Sequence, residues 1–257
     1  MISKNQIGFI QSLHLKKYRD THQLFIAEGI KTVLELVNTV PQVINEVFAE
    51  KDFLNANTEL INSKKIKITL VSDSDLKRIS LQTSPNKVLA VCHYFDYEQT
   101  LIDFNKHFTL FLDDIRDPGN FGTIIRLANW YGISQIFASP NSCDFYNPKV
   151  IQSTMGAFIR VKCNYVELSE LTRRAVIPKI YGAVLSGKPI YTEKLETGLI
   201  VIGNEANGIQ SKNLSFINNP ITIPAAAQNG TESLNAAIAT GIIVSEFYRQ
   251  LNFKNQL

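Results

Sequence analysis

The chain has 257 residues, of which 45% are hydrophobic and 19% charged, and its formal net charge is +3. This composition is typical of an ordinary core-forming protein of one large or two small domains. No apolar run approaches the roughly 18 residues that a transmembrane helix requires, and the N-terminus lacks the apolar segment of a secretory signal. We therefore expect a cytoplasmic protein with no membrane partner. The mild basic charge permits nucleic-acid binding but does not by itself argue for it.

The three cysteines, Cys92, Cys143 and Cys163, are scattered along the chain and form no C-x-x-C pair. An odd, scattered set of cysteines indicates a reducing compartment and argues against a zinc site. We expect no bound metal.

The first part of the chain alternates predicted helices and strands. The predicted helices cover 3–20, 30–37, 55–65 and the stretch from Ser72 to about 81, and the predicted strands cover 24–27, 43–49, 66–71 and 88–93. This order predicts a small α/β domain at residues 1–95. Residues 96–106 have weak periodicity and mixed charge, and we interpret them as a linker.

The polar side of the first predicted helix carries several cations, among them Lys16, Lys17 and Arg19. Such a face is either simply solvated or a contact surface for phosphates.

A second α/β alternation fills residues 107–257. Its predicted strands cover 109–112, 135–138, 160–164, 179–184, 199–202 and 221–223, and its predicted helices cover 120–131, 147–155, 167–175, about 209–216 and about 233–250. In open α/β sheets, ligands bind outside the carboxyl ends of the strands. The segments that follow these ends are therefore the places to look for chemistry.

The first such segment follows the strand at 109–112. A turn at Asp117-Pro118-Gly119 leads to Asn120, which we expect to be a helix N-cap. On the helix that follows, Arg126 lies about 150° from the centre of the apolar stripe. Arg126 is therefore either a solvated surface residue or a functional one.

The second segment follows the strand at 199–202. Gly203 allows the backbone to approach a ligand closely, and Glu205 and Gly208 follow in the loop. The motif G-x-E-x-x-G is weak by itself, and an ordinary turn with a solvated glutamate explains it equally well.

The third segment is an Ile-Pro pair at 223–224, a loop at 225–231 and the start of the last helix. We expect Ser233 or Glu232 to cap this helix, with Leu234 and Asn235 in its first turn. The free N–H groups of a first turn attract polar or anionic ligand groups. A closely packed, well-capped helix is the alternative interpretation.

Together the three segments read D-x-x-x-P-x-N-x-G-x-x-x-R, then I-G-x-E-x-x-G, then I-P followed by E-S-L-N-x-x-x-A. This order resembles the SpoU (TrmH-type) ribose methyltransferases of the SPOUT superfamily. The matching residues are Asp114, Pro118, Asn120, Gly122 and Arg126; Ile202, Gly203, Glu205 and Gly208; Ile223, Pro224, Glu232, Ser233, Leu234 and Asn235. The stretch 25–31, preceded by Lys17-Tyr18-Arg19, resembles the opening of that family's RNA-binding module. One departure is the loop 225–231, which is about two residues longer than in many members.

The resemblance implies a small N-terminal α/β RNA-binding domain followed by a SPOUT α/β domain with a C-terminal trefoil knot. It also implies a homodimer that binds S-adenosyl-L-methionine. By motif or by neighbouring position, the cofactor-binding residues are expected to be Leu185, Ser186, Gly203, Ile223 and Leu234.

The implied reaction transfers a methyl group to a ribose 2′-hydroxyl of RNA, either rRNA or tRNA. Arg126 would be the base or would stabilise the developing alkoxide; arginine is a difficult base because a guanidinium gives up its proton very reluctantly. Asn120 and Glu205 would orient the site, and Ser233 and Asn235 would hold the arginine, the substrate or the helix start. The expected RNA-binding residues are Lys16, Lys17, Arg19 and Lys31.

Two other functions are compatible with parts of this pattern. A methylation-inactive RNA-binding or ribosome-assembly protein would keep the fold, but the intact polar motif residues argue against it. A generic nucleotide-binding α/β enzyme ranks last, because the chain has no G-x-G-x-x-G turn and no P-loop.

Overall fold

The computed structural model describes residues 2–97, 102–226 and 233–253. The chain forms two compact units, Met1–Tyr97 with Asp144–Ile159, and Glu98–Cys143 with Arg160–Leu257. The sequence prediction placed 144–159 in the second domain by chain order. In the structure this segment packs with the first unit.

The first unit is a four-stranded sheet with helices around it. Its strand order is β1-β4-β2-β3, and β4 runs antiparallel to both of its neighbours. Ile26, Phe48, Leu89 and Val91 from the sheet pack with Ile10 and Leu76 from helices in its core. The elements are α1 (Lys4–Ser12), α2 (Lys16–His22), β1 (Leu24–Glu28), α3 (Ile30–Thr39), β2 (Ile44–Ala49), α4 (Lys51–Ser63), β3 (Ile68–Leu70), α5 (Asp73–Ile79), β4 (Val88–His93) and, from the inserted segment, α7 (Pro148–Ser153).

The single helix predicted over 3–20 is wrong, because α1 and α2 are separate helices. Ser3 caps α1 in a capping box with Gln6. Arg19 of α2 turns inward and donates from Nη1 to the carbonyl oxygens of Leu13 and His14, both at 2.9 Å. These bonds supply partners for carbonyls at the end of α1, which helical geometry leaves unsatisfied.

The second unit is a six-stranded sheet in which every pair of neighbouring strands is parallel, in the order β10-β8-β9-β5-β6-β7. Its central strands are almost uninterrupted apolar runs, as expected for strands that are covered on both faces. The elements are β5 (Phe108–Asp113), α6 (Pro118–Trp130), β6 (Gln135–Ala138), β7 (Lys162–Tyr165), α8 (Leu168–Arg174), β8 (Ile180–Pro189), β9 (Gly198–Gly203), α9 (Ser211–Leu214), β10 (Asn219–Thr222) and α10 (Ala236–Asn252).

The central pair, β5 and β9, is in register, with Asp113 opposite Gly203. The segments after these two strands therefore leave the sheet side by side, at its carboxyl edge. Strand order does not report how the chain threads through itself, so the trefoil knot stays a prediction.

No helix among the described residues is long and apolar enough to cross a membrane. In the same residues, His, Cys, Asp and Glu side chains form no group of three that could hold a metal ion.

Candidate active site

The loop after β9 is tied to the end of β5 by a buried carboxylate. Asp113 is fully buried. It accepts two hydrogen bonds from Gln210, one from the backbone N–H at 2.8 Å and one from Nε2 at 2.6 Å. Hydrogen bonds to an ionised acceptor are among the stronger ones in proteins, so this pair fixes where the loop 203–210 ends.

Asn204 organises the same loop from within. Its Oδ1 accepts from the N–H groups of Ala206 and Asn207, and its Nδ2 donates to the carbonyl oxygen of Asp114 at 2.9 Å. Its backbone also pairs with Gly208 in both directions. The loop is therefore closed on itself and attached to the end of β5.

This closure gives Gly203 a structural role. A Cβ atom at residue 203 would lie 2.2 Å from the carbonyl carbon of Gly208 and 2.3 Å from the nitrogen of Ile209. Such distances are far below van der Waals contact, so the loop itself requires glycine here. This requirement comes from contacts within the chain. The close approach of a cofactor to Gly203 therefore stays a prediction.

A chain of amide and carboxylate groups joins the three sequence motifs. Asn120 donates from Nδ2 to Oε1 of Glu205 at 2.5 Å. Asn235 donates from Nδ2 to Oδ1 of Asn120 at 2.8 Å. Residues 85 and 115 positions apart in sequence therefore form one polar cluster, Glu205–Asn120–Asn235, which is partly open to solvent.

Both predicted helix caps at this cluster are wrong. Asp117 is the N-cap of α6 and accepts from the N–H of Asn120 at 2.7 Å, which leaves the Asn120 side chain free to bond Glu205. Asn235 is the N-cap of α10, where its Oδ1 accepts from the N–H groups of Ala237 and Ile238. Ser233 precedes this helix and is exposed. Glu232 lies outside the described residues.

Arg126 is not part of this cluster. Its side chain is exposed, as its position off the apolar stripe predicts, and it makes no hydrogen bond or ion pair with the residues the structure describes. Arg126 lies six positions after Asn120 on α6. This offset places the two residues about 9 Å apart along the helix axis and roughly 120° apart around it. Within one chain the arginine is therefore available to a group that approaches from outside.

The predicted cofactor residues lie around the same edge of the sheet. Gly182 of β8 pairs with Val201 of β9, so Leu185 and Ser186 continue past the level at which β9 ends. Both are exposed, Leu185 to 79%, and Leu234 before α10 is 44% exposed. Ile223 follows β10 and is half-buried. Part of the long loop, residues 227–232, lies outside the described residues.

In the first unit, Arg19 is not a surface cation and its assignment as an RNA-binding residue is wrong. Its side chain is 2% exposed and forms an ion pair with Asp144 at the start of the inserted segment. All three guanidinium nitrogens are engaged, by Asp144 and by the end of α1. Lys16, Lys17 and Lys31 are exposed.

Sequence reasoning missed one charged residue beside the motifs. Arg116 lies two residues after Asp114 in the loop between β5 and α6, and its Nε donates to Oδ1 of Asp114 at 2.8 Å. Arg116 lies inside the first motif, which could have drawn attention to it. The motif accepts any residue at this position, so it did not single out the arginine.

Family models match the chain in two places. The SpoU rRNA Methylase family matches residues 107–245, which is more than half of the chain, and the MRM3-like substrate binding domain matches residues 4–90. The parallel sheet with a polar cluster at its carboxyl edge, attached to a second α/β unit, thus defines a methyltransferase with a substrate-binding domain. The chain belongs to the SpoU rRNA methylase family.

Relatives of similar length support this membership. The chain is 29% identical over 251 residues to the 23S rRNA (guanosine(2553)-2′-O)-methyltransferase RlmP of Bacillus subtilis, covering 94% of this chain and 96% of the relative. A solved structure from Porphyromonas gingivalis, provisionally assigned to the RNA methyltransferases of the TrmH family, is 36% identical with a TM-score of 0.84, covering 97% and 99% of the two chains. An AdoMet-bound rRNA methyltransferase from Sinorhizobium meliloti shares the fold at 24% identity, with a TM-score of 0.85 and 98% of each chain covered.

Proposed function

We propose that the protein transfers the methyl group of S-adenosyl-L-methionine to a ribose 2′-hydroxyl of RNA, and that the RNA is ribosomal. The observation that carries this proposal is the polar cluster Glu205–Asn120–Asn235, in which one residue from each motif is hydrogen-bonded to the next. The cluster places three polar side chains beyond the carboxyl ends of the central strands, where ligands of open α/β sheets bind. The names of the relatives favour rRNA over tRNA.

The exposed groups at the carboxyl edge of the second unit fit the cofactor. Adenosine needs apolar contacts for its ring and backbone groups for its edge. Leu185, Leu234 and Ile223 offer the first, and the loop after β9 offers the second. When bound, the cofactor supplies a methyl group already activated by its sulfonium. The chain must then position the hydroxyl and help it lose its proton.

Arg126 is the proposed catalytic residue. A guanidinium keeps its proton near neutral pH, so it serves better as a donor to a phosphate and to the developing alkoxide than as a base. Glu205 and Asn120 orient the groups around the hydroxyl. Asn235 holds Asn120 and the start of α10 in place, and Ser233, which is exposed, can contact the substrate.

Two copies of the chain form the working unit in this proposal. Arg126 has no partner among the described residues, and apolar side chains are exposed on the helices beside it, with Ile238 of α10 58% and Trp130 of α6 81% exposed. The two helices α6 and α10 pack against each other, so these exposed apolar side chains offer a surface that a second copy can cover. In such a dimer Arg126 of one copy serves a cofactor held by the other.

The first unit supplies RNA affinity, through Lys16, Lys17 and Lys31. Lys16 and Lys17 lie on α2 and Lys31 lies in the first turn of α3. Each lysine that neutralises a phosphate releases counterions, so its removal weakens binding and lowers the salt dependence. The proposed location is the cytoplasm, where ribosomal RNA is modified.

The decisive experiment maps 2′-O-methylation of cellular rRNA and tRNA with and without this gene. Loss of one methylated ribose in rRNA, restored by the wild-type gene and not by Arg126→Ala, is the expected result. An unchanged map, together with no methyl transfer to rRNA from the deletion strain by purified protein, would leave only the RNA-binding function.

The dimer is tested by mixing variants. Arg126→Ala and Leu185→Glu each change an exposed side chain, so both proteins should fold. If the two functions come from different copies, the inactive variants should regain activity when mixed and refolded together. No recovery in confirmed heterodimers would place the arginine and the cofactor in the same copy.

A further inference from the structure

Arg116 is an exposed arginine whose orientation is fixed. Its side chain is 67% exposed, yet its Nε is bonded to a carboxylate of Asp114 that is only 8% exposed. Among the described residues Nε is the only guanidinium nitrogen of Arg116 that forms a hydrogen bond. Both terminal nitrogens, with about four N–H donors, remain unused.

The anchor of this arginine is itself held on two other sides. The N–H of Asp114 donates to Oγ of Ser139 at 2.8 Å, and its carbonyl accepts from Nδ2 of Asn204 at 2.9 Å. Asp114 has a positive φ of 60°. A non-glycine residue persists in this conformation where its surroundings determine it, and such residues cluster at functional sites.

Other arginines of the chain show what a structural guanidinium looks like here. Arg249 bonds the carboxylate of Glu246 with both Nε and Nη2, at 2.8 and 2.7 Å. Arg19 engages all three of its nitrogens. Arg116 differs from both, because one nitrogen orients the group and the terminal fork is left for a ligand.

We propose that Arg116 binds a backbone phosphate of the RNA substrate beside the reacting ribose. A planar fork with two free nitrogens matches phosphate oxygens bidentately. The loop that carries it leads directly into the turn whose Asp117 bonds the N–H of Asn120. This inference rests on the proposed function, and it gives the second unit its own contact with RNA, in addition to the lysines of the first.

Removing this contact should weaken RNA binding and leave the cofactor untouched. A hydrogen-bonded contact to a charged group is worth about 1.5 kcal/mol or more, which corresponds to about 10-fold in affinity. Arg116→Ala should therefore raise the Kd and the KM for RNA about 10-fold. It should also reduce the slope of log Kd against log salt by about 0.7–0.9.

The experiment uses the full chain and deproteinised rRNA from a strain that lacks the gene, with binding measured over a series of salt concentrations. The matched control is Arg173→Ala. Arg173 is also exposed in the second unit, and its Nε also donates a hydrogen bond, to the backbone carbonyl oxygen of Ser169. Asp114→Asn keeps an acceptor and tolerates the positive φ, and it should weaken binding less than Arg116→Ala. Arg116→Lys should not restore affinity, because an ammonium lacks the fork.

Three outcomes would overturn the inference. Wild-type Kd and salt slope in Arg116→Ala would show that no phosphate is bound there. A raised Kd for S-adenosylmethionine with normal RNA affinity would assign the fork to the cofactor carboxylate. A lower melting temperature with unchanged affinity for RNA and for S-adenosylmethionine would show that Arg116 serves only as a counterion of Asp114. RNA binding is measured without turnover, so these outcomes remain distinct from a failure of methyl transfer, which would remove the proposed function instead.

Discussion

The bond between Asn120 and Glu205 can be tested with an isosteric change, Asn120→Asp. The substitution replaces the Nδ2 that donates at 2.5 Å with a carboxylate oxygen that faces a carboxylate. A hydrogen bond to a charged group is worth about 1.5–3 kcal/mol. The bond from Asn235 to Oδ1 survives, and an acid in the first turn of α6 gains about 0.3–1 kcal/mol from the helix dipole. The free energy of unfolding should therefore fall by about 1–2 kcal/mol, and methyl transfer should fall with it.

The assay is urea unfolding at neutral and at acidic pH. Two carboxylates in contact share a proton more readily than either one alone. The deficit of Asn120→Asp should therefore shrink as the pH falls from about 7 to about 4, where the pair can hold that proton. The control is Asn207→Asp, which adds the same charge to the loop of Glu205 at an exposed side chain with no hydrogen bond among the described residues. If Asn120→Asp is as stable as this control at neutral pH, the polar cluster does not hold the motifs together.

Three further predictions concern single side chains. Arg126→Ala should change the free energy of unfolding by less than about 0.5 kcal/mol and lower the rate of methyl transfer about 10²–10³-fold. Near-normal turnover would show that Arg126 is an ordinary solvated residue with no catalytic role. Gly203→Ala should unfold at lower urea than Gly208→Ala, because the Cβ at 208 meets nothing within 4 Å and that variant bears only the cost of its positive φ; equal midpoints would contradict this. Arg19→Ala should destabilise the first unit by about 3–5 kcal/mol, because it removes the guanidinium from a largely buried ion pair with Asp144, and circular dichroism should show this loss while Lys17→Ala unfolds like the wild type.

The strands of the second unit were predictable because their apolar runs are local signals. The predictions at 109–112 and 199–202 fall inside β5 and β9, where burial on both faces demands continuous hydrophobic residues. The strand predicted at 160–164 is displaced to Lys162–Tyr165, where three of the four residues are only half-buried. A weakly buried edge strand leaves little pattern in the sequence.

The two helix caps at the polar cluster could not be predicted, because tertiary bonds decide between neighbouring candidates. Asn120 and Asp117 are both good capping residues, and Asp117 takes the role while the side chain of Asn120 bonds Glu205, 85 positions away. Arg19 shows the same limit. Charge on a helix predicts exposure, whereas its partner Asp144 lies 125 residues further along the chain.

The inserted segment Asp144–Ile159 makes the chain cross between the two units three times, after Tyr97, Cys143 and Ile159. A truncated chain that begins near residue 104 would therefore keep Asp144 without Arg19, and it would keep Tyr146 and Phe158 without Phe25, against which both rings pack. The first unit is thus not an appendage that was joined end to end. Exchange of this domain between relatives requires two segments to move together, because a single recombination point in the linker would give hybrids whose first unit combines segments of two parents while the second unit comes whole from one.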